Sequence, residues 1–392
     1  MKIIIAGAGI GGLSTAVALK KIGITAHVYE RAPEIREAGA GFTIWANAMK
    51  ALRRIGLEEQ ARSLGAVLTS VHTYSPKGNI VYTMDFRSVS RACEADSICM
   101  HRADLQRTLA QALDPGQIIT DHECTGVQTS PINGKHRVLF ADGSAEEADV
   151  VIGADGLHSA VRTALFGPEE PRYAGYYCYR AIMEAPDLPD NEAFFCLKSG
   201  MQIGFFPFGR PGYTYWFVCP NAPRNRAHPD SGYDHVSFLR QIARELPPHL
   251  GKIIRDTDPD QYIIGNIADR PPTRRWGKHG ITLLGDAAHP TTPNLGQGAC
   301  MAIEDAIVLA EQLSLNTDPV QALRSYERIR YGRTAAVVRN SRNAGRLYQM
   351  ENPLLIAIRT GLFRLPVTDW ISRAMQTRFM RYTPPELHRP AS

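Results

Sequence analysis

Apolar residues recur along this chain in three rhythms. The first is the unbroken run Ile3-Ile4-Ile5-Ala6, which suits a parallel strand buried on both faces. Beyond a glycine turn, Leu13, Ala16 and Val17 follow at helical spacing, and Ala26 to Tyr29 reads as a second strand. A further strand is expected at Gly280 to Leu284, with a helix beginning near Ala299. The second rhythm is strand-like. Residues 67 to 86 alternate around a Pro76-Lys77-Gly78-Asn79 turn, and Arg137 to Phe140 and Asp149 to Ile152 flank Asp142-Gly143 as a hairpin. From 173 to 267 aromatics and prolines become frequent, and Gln202 to Phe206 and Tyr213 to Val218 read as strands joined through Gly209 to Gly212. The third rhythm is helical. Gly41 to Asn47 opens a helix through Met49, Leu52 and Ile55, and Leu105, Leu109 and Leu113 mark another after Arg102. Ser88 to Asp96 reads as loop.

These patterns predict an α/β fold. A Rossmann-like nucleotide-binding domain is expected from residues 1–70, 97–172 and 268–350. It is interrupted by a mainly β domain of residues 71–96 and 173–267, and residues 351–392 form a C-terminal helical segment. A length of 392 residues supports two sizeable cores.

Composition changes the picture little. A net charge of +5 suits anionic cofactors or substrates, and no block of lysine and arginine resembles a nucleic-acid-binding arm. Seven scattered cysteines without a Cys-x-x-Cys pair point to reduced thiols and no zinc site. Met1-Lys2 leads straight into a core strand, so a cytoplasmic protein without a signal peptide is expected. No apolar run is long enough to span a bilayer. Residues 352 to 381 mix Leu354, Leu355, Ile358, Leu362, Phe363 and Leu365 with Arg359, Arg364, Arg373 and Arg378. That composition suits peripheral contact with a membrane, or a helix packed across the domains with its arginines outward.

The candidate chemistry lies where strands end. In Gly7-Ala8-Gly9-Ile10-Gly11-Gly12, Gly7 permits a tight turn, Gly9 lets a pyrophosphate approach the backbone, and Gly12 lets helix and strand pack closely. Glu30 is placed to accept hydrogen bonds from ribose hydroxyls and to repel a 2′-phosphate, which fits the ADP-ribose of FAD or NAD. Arg102 stands at a helix start, where the dipole disfavours a cation; an anionic ligand would explain it, a solvated arginine being the alternative. Gly153-Ala154-Asp155-Gly156 ends another strand, with Ser159 as a helix cap. Asp286 ends a third and can bind a sugar alcohol. The helix from Gly298 would aim free N–H groups at the edge of a reduced flavin, which becomes anionic where a nicotinamide does not. This selects FAD.

Together these motifs resemble the single-component FAD-dependent aromatic hydroxylases, the class A flavoprotein monooxygenases related to salicylate, urate and 6-hydroxynicotinate hydroxylases and to zeaxanthin epoxidase. Gly7, Gly9, Gly12 and Glu30 match that family's ADP-binding fingerprint. Gly153 to Gly156 with Ser159 and Arg162 match its Asp-Gly motif, which serves FAD and NAD(P)H. Gly285-Asp286 through Pro293 and Gly296-Gln297-Gly298 match its ribityl and flavin-ring motif. Arg102 fits an arginine that touches FAD, and Arg31 and Gly41 join the cofactor-binding set. The resemblance implies an enzyme that uses NADH or NADPH and O2 to hydroxylate or epoxidise an electron-rich aromatic or unsaturated small molecule through a flavin C4a-hydroperoxide. Pro293, Gly296 and Gly298 would shape the reacting edge. Tyr179, Arg180, Phe205, Tyr215 and Trp216 are the expected substrate-pocket residues. The chain departs from the family at three points. Ala46 replaces the usual proline before Asn47, and Thr43 stands where 6-hydroxynicotinate enzymes carry a catalytic histidine. The strand near Met201 and Gln202 lacks the arginine that urate hydroxylases direct at substrate. A reductase or dehydrogenase of the same fold and a non-catalytic FAD-binding scaffold are the alternatives.

Overall fold

The computed structural model describes residues 1–35, 41–75, 78–129, 134–227, 232–363, 374 and 377–389. The Pro76-Lys77 half of the expected turn, and Arg364, Leu365 and Arg373, lie outside the described residues.

The chain opens with β1 (Ile3–Ala6), α1 (Ile10–Lys21) and β2 (Ala26–Tyr29). β3 (Gly41–Ile44), α2 (Ala46–Arg54), α3 (Glu58–Leu64) and β4 (Ala66–Val67) follow. Gly41 to Ile44 is thus a strand, antiparallel to a later one, and the helix expected from Gly41 starts only at Ala46. β5 (Ser70–Tyr74) and β6 (Ile80–Asp85) form the expected hairpin. Ser88 to Asp96, read as loop, mostly belongs to α4 (Phe86–Cys93). Asp85 caps it by accepting from the Arg87 N–H, and Phe86, Val89 and Cys93 are buried on one face. Three anchors among polar residues are enough once a partner surface exists.

β7 (Ile98–His101), α5 (Arg102–Gln111), β8 (Ile118–Ile119), β9 (Cys124–Thr129), β10 (His136–Phe140) and β11 (Ala145–Ala148) come next. The Asp142-Gly143 turn joins β10 to β11, not to Asp149–Ile152 as expected. The latter stretch lies largely in β12 (Val150–Gly153), which runs parallel to β1 with Ile3 opposite Val150. Its four residues are all buried, as suits a central strand covered on both faces, whereas the Ala-Glu-Glu-Ala of β11 suits an edge.

After α6 (Ala160–Phe166), the strands β13 (Arg172–Glu184), β14 (Glu192–Lys198), β15 (Met201–Pro207) and β16 (Tyr213–Pro220) lead to the helices α7 (His235–Arg244) and α8 (Pro248–Asp256). β17 (Ile263–Asp269), β18 (Gly277–Lys278) and β19 (Ile281–Leu283) return the chain to α9 (Gly298–Leu315), α10 (Pro319–Tyr348) and α11 (Pro353–Phe363). One six-stranded sheet has the order β18-β19-β12-β1-β2-β8, and a seven-stranded sheet has the order β17-β13-β16-β15-β14-β5-β6. The central strands of the first, with α1 and α9, supply much of the main core. A second core fills the space between the larger sheet and α7 and α8.

α11 has its polarity reversed. Leu354, Leu355, Ile358 and Leu362 are exposed, while Arg359 turns inward and donates to the carbonyls of Leu347 and Tyr348 at the end of α10. The expected outward arginine is therefore a cap on the negative end of the preceding helix. Among the described residues no helix is long and apolar enough to cross a membrane.

Candidate active site

Because β1, β12 and β19 run parallel and adjacent, the loops leaving their carboxyl ends meet. Gly7 has φ +103°, and a side chain there would come within 2.6 Å of the Ala154 oxygen, so the first glycine turn and the Asp155 loop pack backbone to backbone. A Cβ on Gly12 would lie 1.9 Å from the Gly7 oxygen, which presses α1 onto its own turn. Gly9 differs: the nearest atom to its missing side chain is Nη2 of Arg102, at 3.9 Å, and its backbone is open to a ligand. No side chain caps α1 or α9, so both helices begin with uncapped N–H groups.

Charged groups gather around this opening. Glu30 accepts from the Ala8 N–H at 2.8 Å and from the Ala32 N–H at 3.1 Å, which fixes its carboxylate at the end of β2. Burial pushes the Arg102 guanidinium down from its ordinary value, opposed by the neighbouring carboxylates of Asp286 and Glu30. Asp286 faces open space on one side and is crowded by protein on the others. That crowding raises its carboxyl, countered by His289 and Arg102. Asp155 accepts from the Val161 N–H through Oδ2 at 3.1 Å, while Oδ1 is buried without a partner. Burial raises this carboxyl too. Arg31 is exposed beyond Glu30. A fixed acceptor at a strand end, an arginine over an open glycine and two uncapped helix starts suit a dinucleotide with its diphosphate and sugar hydroxyls.

The loop before α9 is held from below. Pro293–Leu295 makes one tight turn and Gly296 takes φ +62°. Trp45 Nε1 donates to the Leu295 carbonyl at 3.0 Å, and its ring occupies the space of any side chain at Gly296. Asn47 Nδ2 donates to Gln297 Oε1 at 2.9 Å and to Glu304 Oε1 at 2.6 Å. Glu304 is paired with Arg330 and Arg333, and Asp305 with Arg330 and with His289 Nε2, each at 2.6 or 2.7 Å. Although burial alone would raise them, His289 and Arg330 hold Asp305 at about 2, and Arg333 and Arg330 hold Glu304 below its ordinary range. This ion chain joins the Asp286–His289 turn to the Pro293–Gly298 loop. Sequence reasoning missed it, although adjacent acids inside the otherwise apolar Ala302–Ala310 stretch were the available signal.

Strand pairing settles the larger sheet's two faces. Arg180 lies opposite Phe217, Phe217 opposite Gly204, and Gly204 opposite Phe195. Tyr215 lies on the same face, against Gly41, where a side chain would come within 2.6 Å of the Tyr215 Cβ and 2.7 Å of its ring. Gly41 therefore makes room for Tyr215. Tyr176 donates to Asn294 Oδ1 at 2.7 Å, and Asn294 Nδ2 donates to Gln202 Oε1 at 3.2 Å, linking this face to the loop before α9. Thr43 sits within 3.7 Å of Cys99 Sγ.

Tyr179, Phe205 and Trp216 point the other way, a correction to the expected pocket. They belong to the core under α7 and α8. Trp216 Nε1 donates to Thr257 Oγ1 at 2.9 Å, and the Tyr179 hydroxyl bonds to Tyr177 at 2.8 Å and to His235 at 2.6 Å. Successive strand residues alternate sides, so Tyr215 and Trp216 cannot share a wall. The face of Arg180 and Tyr215 instead carries Tyr176, Gln202, Phe206 and Phe217, which the sequence reading left out of the pocket; Phe206 and Phe217 stack with centroids 6.1 Å apart.

Residues 1–341 match the family model described as an FAD binding domain. The chain is 34% identical over 386 residues to the aurachin C monooxygenase/isomerase of Stigmatella aurantiaca, covering 98% of this chain and 99% of that protein. It is 33% identical over 347 residues to the FAD-dependent urate hydroxylase of Mycolicibacterium vanbaalenii, covering 87% of each. The crystal structure of Klebsiella pneumoniae HpxO complexed with FAD and uric acid superposes with a TM-score of 0.88 at 28% identity, covering 97% of this chain and 96% of that one.

Proposed function

The chain belongs to the FAD-binding family of flavin-dependent aromatic hydroxylases and is an FAD-dependent monooxygenase, and from that premise we propose how its own residues divide the work. Bound FAD supplies the chemistry, taking electrons from NAD(P)H and activating O2. Glu30 and Asp286 bind its sugar and ribityl hydroxyls, and Gly7, Gly9 and Gly12 with the start of α1 receive the diphosphate. Arg102 sits over the same opening as the balancing cation. Pro293, Gly296, Gln297 and Gly298 present the α9 N-terminus to the flavin ring. Asp155 lies in the loop, and Arg162 in the first turn of α6, of the segment whose family motif serves FAD and NAD(P)H.

The substrate is a small electron-rich aromatic or unsaturated molecule held between this loop and the cleft face of the seven-stranded sheet, against Tyr215, Phe206 and Phe217 with Arg180 at its side. Relatives named for aurachin C and for urate support such a ring. The partition into a cofactor unit (1–70, 97–172, 268–350), a substrate unit (71–96, 173–267) and a C-terminal segment follows the same division of labour.

The observation that carries this reading is the convergence of Glu30, Arg102 and Asp286 on the open backbone of Gly9. The purified protein is expected to hold FAD and to consume NAD(P)H and O2 faster when a cognate aromatic is added. Asp286→Ala should lower FAD affinity about tenfold or more, the loss of one or two hydrogen bonds to a charged acceptor. NAD(P)H oxidation that needs no O2 would identify a reductase, and a wild type that cannot take up FAD would end the reading.

A further inference from the structure

Arg180 lies half-buried on β13, on the same face of the seven-stranded sheet as Tyr215 and Phe217. Among the described residues its guanidinium has no ion-pair or hydrogen-bond partner, and its Nε is buried. Among the described residues no carboxylate pairs with it, and the titratable groups beside it are two thiols, a phenol and a second guanidinium. β13 itself contributes Cys178, whose thiol burial would raise but which a hydrogen bond from Cys219 and the Arg180 charge bring below its ordinary value; β16 contributes Tyr215 and Cys219, and β17 contributes the backbone of Gly265. Burial drives the Tyr215 hydroxyl and the Cys219 thiol well above their ordinary values, so both stay protonated and uncharged at neutral pH. From α5 comes Arg102, another cation, and the Glu30 and Asp286 carboxylates near it bear on Arg102. A half-buried guanidinium without an acceptor is costly, and a bound anion would remove that cost.

The rest of the face points to the same ligand chemistry. Asn294 occupies Gln202 Oε1, which leaves the Gln202 amide as a donor without a partner among the described residues. The Tyr215 hydroxyl, protonated, is another donor. No base balances them in the facing segment: Gly41 to Asn47 contains no titratable side chain. The pocket offers donors and a positive charge, and the group that matches is an acceptor-only oxygen.

Building on the monooxygenase reading, we propose that Arg180 binds the substrate's ring hydroxyl as its oxyanion, with Gln202 and Tyr215 as secondary donors, and so activates the ring without a protein base. The hydroxyl proton leaves to solvent and its electron pair stays on oxygen, where it is shared with the ring carbon to be attacked. No carbon bond forms or breaks in this step. Arg180 is thus a catalytic residue acting on substrate charge, and the class of substrate is a hydroxyarene or an enolisable heteroarene such as a hydroxyquinoline.

The test uses FAD-loaded enzyme with 4-fluorophenol and 6-fluoro-4-hydroxyquinoline as probes, read by fluorine NMR, whose shift separates hydroxyl from oxyanion. At least one bound probe should ionise one pH unit or more below its free value, a tenfold preference for the anion. Arg180→Met should return that value to the free one while FAD content stays the same, and Arg180→Lys should keep most of the shift. The proposal is overturned if neither probe binds the FAD-loaded wild type, if bound probe ionises at its free pH, or if Arg180→Met leaves the shift intact. It is equally overturned if Arg180→Met releases FAD, because the arginine then serves the cofactor. Failure to hold FAD or to use O2 in the wild type would instead count against the monooxygenase reading itself.

Discussion

Asp305→Asn tests the buried ion chain beneath the cofactor loops. The carboxylate accepts from His289 Nε2 and Arg330 Nε, both at 2.6 Å, and from the Gly285 N–H at 3.2 Å. Held at about 2 against an ordinary 3.8, it stabilises the fold by roughly 2.5 kcal/mol at 1.36 kcal/mol per pH unit. Because the folded value is depressed, that contribution is complete above pH 3.8 and disappears as pH falls through about 2. The asparagine removes the charge but keeps the shape, leaving Arg330 with Glu304 as its remaining acid partner, and a deficit of about 3 kcal/mol at pH 7 is expected. The assay is urea unfolding at fixed FAD excess, followed by tryptophan fluorescence, for both proteins at pH 7, 5, 4 and 3. The deficit should be constant from pH 7 to 5 and smaller at pH 3 by about 1 kcal/mol. A deficit that stays the same at all four pH values would show that charge is not what Asp305 contributes.

Three further outcomes follow from the geometry. Gly12→Ala must displace α1 from its turn to relieve the 1.9 Å contact, so FAD affinity measured by flavin fluorescence should fall at least tenfold; unchanged affinity would refute the assigned role of the turn. Trp216→Ala should cost about 3–5 kcal/mol in stability through the core under α7 and α8, yet leave KM for a cognate aromatic within about twofold in the folded fraction. Thr43→Ala removes only a weak contact to Cys99 and should change the single-turnover hydroxylation rate less than about threefold, whereas a collapse of that rate would place the β3 strand in the chemistry.

What could be read in advance depended on how far apart the deciding contacts lie. The glycine turn, Glu30 and the Ser159 cap follow from backbone rules acting within thirty residues, and their geometry can be anticipated from one segment. Asn47 and Glu304 meet across 257 positions, and neither segment announces the other. The aromatic strands illustrate a different limit. Tyr215 and Trp216 are chemically alike, and which of them faces the cleft is decided by where α7 and α8 lie, on the Trp216 side. Sequence shows that residues alternate and does not show which set is turned inward to the helices. α4 was hidden for a related reason, since its three buried residues become an anchor only against α2 and β5.

The two faces of the larger sheet separate two kinds of inheritance. In the proposed site, changes at positions 180, 202, 215 and 217 would alter what a descendant accepts while the backing by α7 and α8 keeps its fit. Their immediate neighbours answer to α7 and α8 and can drift only together with them. A single-residue insertion within β16 would be a different kind of event, exchanging the two sets at once and costing both recognition and core. Libraries intended to move this protein to new rings should vary alternate codons and leave strand lengths alone.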